Sequence, residues 1–173
     1  MPRKVNKPDR QEGDQKELLL GFLDYYRSVI GGKVEGLSDE DLRASRLPSG
    51  WAPLELVKHL MFMEQRWLRW GFLAEQVAAP HGDTGPDGRW HVTPGESAAT
   101  LVAALHATGA NTRAIVADAE LTDVSASGGR FTEADGRPRP TLAWILTYVL
   151  QEYARHAGHL DIARELIDGV TGE

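Results

Sequence analysis

The sequence predicts an all-α protein, a four-helix bundle with long irregular connections. Three observations lead there. Four segments carry apolar residues at the three- and four-residue spacing of a helix face. Stretches rich in Gly, Pro and Asp separate them. A layer of polar side chains interrupts the apolar stripe of the last segment, as in bundles that build sites between facing helices.

Residues 1–12, rich in Pro, Lys, Arg and Asp without periodicity, read as a flexible tail, and residues 13–173 as one domain. The first helix starts near Asp14, with Leu19, Phe22, Leu23, Tyr26, Val29 and Ile30 as its buried stripe and Gly31-Gly32 loosening its end. Leu37 to Leu42 reads as a turn or two capped by Ser38. Leu47 to Pro53 then forms a tight loop, with Pro53 suited to a first helical turn and Trp51 held at the helix mouth. The second helix, Pro53 to about Gln76, is apolar over most of its circumference and therefore central, with His59 pointing into the core between Leu56 and Met63.

From Ala79 to Val92 the chain is irregular, and His81 and His91 read as surface residues. Thr93-Pro94-Gly95-Glu96 has the start signals of a third helix, whose face is Leu101, Leu105, Thr108, Thr112, Ile115 and Val116, with His106 off that line. Residues 120–140 lose helical periodicity at Gly128-Gly129, Gly136, Pro138 and Pro140, leaving Val124 and Phe131 as short extended pieces. Such a loop either covers a pocket mouth or is a loose connection. The last helix runs from Leu142 to Ile167 with a stripe of Leu142, Ile145, Leu146, Val149, Tyr153, Leu160, Ala163, Leu166 and Ile167.

At 173 residues and 42% hydrophobic, the chain is long enough to bury a core without staples. Its 19 basic and 25 acidic residues give a formal charge of -6 with no dense basic patch, which disfavours a nucleic-acid partner. No apolar run approaches the ~20 residues of a membrane span, and the first ten residues lack the apolar core of a signal peptide, so a cytoplasmic location is expected. Cysteine is absent, so a metal site must use His and carboxylate, and any thiol must arrive on a small molecule.

Glu152, His156 and His159 fall on the buried stripe of the last helix, where an unpartnered carboxylate or imidazole costs several kcal/mol. Glu152 and His156, four apart, can act as two metal ligands, or as an ordinary ion pair at a wet helix edge. His59 on the second helix completes a set of two imidazoles and one carboxylate, which leaves one position of a tetrahedral ion open, the catalytic pattern. Zinc fits, and nickel or iron also suit imidazole. His159, three residues on, either replaces Glu152 as ligand or stands beside the open position and handles a proton as the catalytic residue. Asp161 and Arg155 flank the site, with Arg155 read as a surface group.

The stretch Pro48-Ser49-Gly50-Trp51-Ala52-Pro53 through His59-Leu60, followed by Glu152-Tyr153-Ala154-Arg155-His156-Ala157-Gly158-His159 and the ending Leu166-Ile167-Asp168-Gly169, resembles the DinB/YfiT-like family. More narrowly, it is similar to the actinobacterial branch related to mycothiol-dependent maleylpyruvate isomerase. The resemblance implies a four-helix bundle with a divalent metal on His59, Glu152 and His156. It further implies thiol-dependent S-transfer or isomerisation of a small electrophile, or metal-dependent hydrolysis. Where related chains often carry histidine, this one has Tyr148, which with Trp51 is a candidate cofactor-binding residue. The competing class is a non-catalytic binding or stress-related protein stapled by its metal. A homodimer is expected through the third helix, thin in large aliphatics, and the Trp-rich second helix.

Overall fold

The computed structural model describes residues 6–172. Four long helices form the bundle: α1 (Gln15–Val34), α3 (Pro53–Gln65), α4 (Ala98–Ala117) and α5 (Leu142–Asp168), with the short α2 (Asp39–Arg43) between α1 and α3. Helix α1 packs against α5 and α4, and α3 against α4 and α5, which closes the ring. Leu23 and Ile30, Leu56 and Leu60, Leu105, and Ile145, Leu146 and Val149 meet at its centre, fully buried. Each such side chain contributes roughly 1.5–3 kcal/mol. That outweighs the ~1 kcal/mol cost of a helical glycine such as Gly109.

The helix ends follow side-chain chemistry. Asp14 accepts hydrogen bonds from the Lys16 and Glu17 amides at the start of α1, and Ser38 caps α2 through the Asp41 amide. Pro53 opens α3, while the Glu55 carboxylate accepts the Ala52 amide at 2.9 Å. Gly169 ends α5 in the left-handed conformation, φ 76°.

Several boundaries differ from the sequence reading. Residues 1–5 of the expected tail lie outside the described residues, whereas the Lys7 ammonium stands 5.3 Å from the Tyr25 ring centroid. The buried line of α1 is Leu20, Leu23, Arg27, Ile30 and Val34, so that Leu19, Tyr26 and Val29 pack only at its flank. Gly31 does not end the helix. A Cβ there would come within 3.2 Å of Val102, so its small size serves the approach of α4. Thr93 to Glu96 is a closed turn rather than a helix start; Ser97 caps α4 instead, accepting the Thr100 amide at 3.2 Å. Leu166, expected on the buried stripe of α5, is 54% exposed.

The second predicted helix changes character at its end. After Gln65 the chain widens into a π-helical stretch, Arg66–Phe72, with the Leu73 amide donating to Leu68 at 3.1 Å. Carbonyls of this stretch are taken by the 120–140 connection: Arg130 donates its amide to Trp70, and Ala126 to Phe72. Gly129 permits that approach, since a Cβ would lie 2.1 Å from the Trp70 oxygen. The connection is thus bound to the bundle. Val124 forms an isolated bridge with Thr141, and Phe131 packs on Trp67 at 5.9 Å between ring centroids.

Candidate metal centre

His59 enters the site from α3, and Glu152 and His156 from successive turns of α5. One ligand atom from each lies within 4.8 Å of the other two. His156 Nε2 and Glu152 Oε2 are 3.4 Å apart, close to the separation of two donors sharing one small cation at ligand distances of roughly 2.0–2.2 Å. All three are mostly screened from solvent, yet none is enclosed among apolar side chains alone. The donor set therefore fits a divalent metal.

Two neighbours hold the imidazoles in place. Asp83 Oδ2 lies 2.9 Å from His59 Nδ1, which fixes the ring and directs Nε2 toward the centre. Asp83 is itself buried and held by Arg66, with Nη1 at 2.6 Å from Oδ1 and Nη2 at 3.1 Å from Oδ2. Burial alone would raise the Asp83 carboxyl; hydrogen bonds from His59 and Arg66 and the Arg66 charge outweigh it and lower the group to about 2. His156 is lowered to about 3, first by burial and then by the charges of His59, His159 and Arg155. It is accordingly neutral at pH 7, the form in which an imidazole can bind a metal.

His159 stands behind His156, with their Nδ1 atoms 3.2 Å apart. When His156 presents a bare Nε2 to a cation, its proton sits on Nδ1 and is donated to His159.

Aromatic rings wall the centre. Trp90 stacks on His59 at 4.0 Å and meets His156 edge-on at 5.6 Å, while Trp51 lies 6.2 Å from His159 and 6.5 Å from Trp90. Tyr148 flanks the other side, one turn before Glu152. Burial and the Glu152 carboxylate push its phenol up. Asp161 pairs with Lys33 and ties α5 to α1. His81 and His91 are exposed, His81 edge-on to Trp70.

Sequence reasoning missed Asp83, Trp90 and Arg66. The first two sit in the irregular 79–92 segment, where no period links them to His59. One signal was available: Arg66, on a helix apolar over most of its circumference, required a carboxylate partner if buried.

Below the centre, a second polar group is enclosed by the core. Glu64 of α3 accepts from Arg27 Nε of α1 at 3.0 Å, Thr112 Oγ1 of α4 at 2.5 Å and the Tyr153 hydroxyl of α5 at 2.7 Å. A second Arg27 nitrogen also bonds Glu64. Burial opposes the Arg27 charge, but Glu64 more than offsets this and raises the guanidinium; burial and the Glu64 charge push Tyr153 up. Gly109 makes room, since a Cβ there would meet Arg27 at 2.7 Å.

A family model described as mycothiol-S-transferase matches residues 18–169. The chain belongs to the mycothiol-S-transferase family. The match spans all four bundle helices and takes in every residue of the centre, and the family is DinB-like. A solved structure, the conserved protein of a locus from Enterococcus faecalis, superposes with a TM-score of 0.61 over 91% of this chain and 99% of that one, at 18% identity. It speaks for the fold. No curated protein matches. Among the described residues of this mycothiol-S-transferase family member, no helix is long and apolar enough to cross a membrane.

Proposed function

We propose that the protein is a metal-dependent transferase that joins a low-molecular-weight thiol of the mycothiol type to a small electrophile. The observation that carries this reading is the convergence of His59, Glu152 and His156 from two facing helices, with their ligand atoms within 4.8 Å of one another. Membership of the family supports it. A divalent metal held by those three residues, zinc by preference, supplies a Lewis acid that makes a thiol acidic enough to react as its anion at neutral pH.

The remaining work falls to side chains. Asp83 holds His59 Nδ1 and keeps that ring turned toward the centre. His159, the candidate catalytic residue, takes up the proton that the thiol loses and hands it to the group that leaves carbon as the S–C bond forms, so that thiol plus electrophile yields thioether plus the protonated leaving group. Trp51 and Trp90 exclude water from one side, and with Tyr148 they offer ring faces and a hydroxyl for the thiol cosubstrate.

Such chemistry belongs in the cytoplasm, where small thiols stay reduced. The solvent face of α4, with Ala99, Ala103, Ala107, Ala110 and Ala114 exposed and uncharged, supports a homodimer. The test is elemental analysis of the purified protein, followed by mycothiol and simpler cysteine-derived thiols against a panel of electrophiles such as 1-chloro-2,4-dinitrobenzene. One metal per chain and thiol-dependent consumption are expected. Absence of stoichiometric metal, or equal turnover without any thiol, would sink the reading.

A further inference from the structure

About two turns of α5 away from the metal centre, a cleft of about 1160 Å³ opens between the π-helical stretch, the 120–140 connection and the start of α5. Its walls are the rings of Trp67, Trp70, Phe131 and Trp144, and Trp144 is 51% exposed despite its size. Tyr148 is the partition between cleft and centre: its ring is 4.5 Å from Trp67 and stacks on Trp144 at 5.3 Å, and its hydroxyl side meets Glu152.

The charge in this cleft runs against the composition of the chain. The whole sequence carries a formal charge of -6, yet the lining includes Arg130, Arg137 and Arg139 and, among the described residues, no carboxylate. Arg139 is tied to the Ser125 carbonyl and has Glu133 at 3.9 Å. Arg130 differs. Its guanidinium lies 4.2 Å above the Trp67 ring, half-buried, and no carboxylate among the described residues pairs with it. Burial and the nearby Arg66 both push its pKa down, so its charge stands at a cost that a bound anion would relieve. Flat ring faces recognise a planar apolar body, and a guanidinium recognises a carboxylate with two parallel hydrogen bonds.

We propose that this cleft binds the acceptor substrate and that the acceptor is a planar, conjugated or aromatic carboxylate, its carboxyl group on Arg130 and its flat body against the exposed ring of Trp144. The substrate class rests on the thiol-transfer reading of the neighbouring centre; the binding site does not. From there the path to the centre runs along α5 past Tyr148 to Glu152.

The probes are trans-cinnamate and its neutral amide, cinnamamide, titrated calorimetrically into metal-stripped protein without thiol. Cinnamate is expected to bind at least tenfold more tightly than cinnamamide. Arg130→Gln should erase that preference while leaving the amide's affinity unchanged, and Trp144→Ala should weaken both ligands. Trp144 is exposed, so the second variant keeps the test open should Arg130→Gln fail to fold. Equal binding of acid and amide to the wild-type protein, or a preference that survives in Arg130→Gln, overturns the proposal. Arg130-dependent binding in a protein without S-transfer activity would uphold the cleft and remove the transferase reading; S-transfer indifferent to acceptor charge would do the reverse.

Discussion

Replacing Asp83 by Asn isolates the support behind His59. The substitution keeps size and one hydrogen-bond acceptor but removes the charge that Arg66 and His59 share. The Asp83 carboxyl falls from its usual 3.8 to about 2 in the folded protein, and each unit is worth ~1.4 kcal/mol, so the native interactions contribute about 2 kcal/mol at pH 7. A folded pKa below the unfolded one means that the contribution is present above pH ~4 and is lost as pH falls toward 2. Urea unfolding of metal-stripped wild-type and Asp83→Asn protein should therefore show a gap of about 2 kcal/mol or more at pH 7. The excess reflects Arg66 left without a counterion. The gap should close as pH drops below 4. Metal titration of the same pair should show affinity reduced roughly 10- to 100-fold, the usual cost of losing a carboxylate behind a ligating histidine. A gap independent of pH, or metal affinity unchanged within twofold, would refute the assignment of Asp83 as the orienting partner.

His59→Ala and His156→Ala should each abolish stoichiometric metal, measured by elemental analysis, and retention in both would move the site elsewhere. His159→Ala should keep metal and melting temperature while lowering turnover roughly 10²- to 10⁴-fold, the range for lost general acid help; metal loss would make it a ligand. His156, held at about 3 in the fold, binds its proton more readily when unfolded, so metal-free protein should lose stability as pH falls through ~6.5 toward 3. His156→Gln should flatten that slope in denaturant titrations. Gly109→Ala should lower stability by several kcal/mol, because the new methyl displaces Arg27 from Glu64; a melting temperature within 1 °C of wild type would contradict this packing.

The helices were legible because burial follows a 3.6-residue period in the chain, and Glu152, His156 and His59 stood out as polar groups on otherwise apolar lines. What escaped was set by partners far away in sequence. Arg27 was invisible on α1 because its burial depends on Glu64, 37 residues on. The apolar count therefore favoured Phe22 and Tyr26, which lie on the flank. The start of α4 at Ser97 rather than Thr93 turned on Lys58, which holds the Glu96 carboxylate at 2.9 Å and closes the preceding turn. Asp83 and Trp90 reach the centre through a loop, where neither spacing nor propensity carries information about direction.

The carboxylate of Glu64 takes one side chain from each of the other three long helices. Withdrawing α1 or α3 alone would strand a charge in the interior, and withdrawing α4 or α5 would strip the buried Glu64 carboxylate of a hydrogen bond, so partial opening is expensive and the molecule should come apart as one cooperative unit. Amide exchange of the buried turns of α1, α3, α4 and α5 should then share one protection level, that of global unfolding. The same knot lies five residues from His59 along α3 and one residue from Glu152 along α5. Sliding either helix would break it, so the spacing of the donor atoms is established by the folded chain before any ion arrives, and the ion need not spend its binding energy on arranging them.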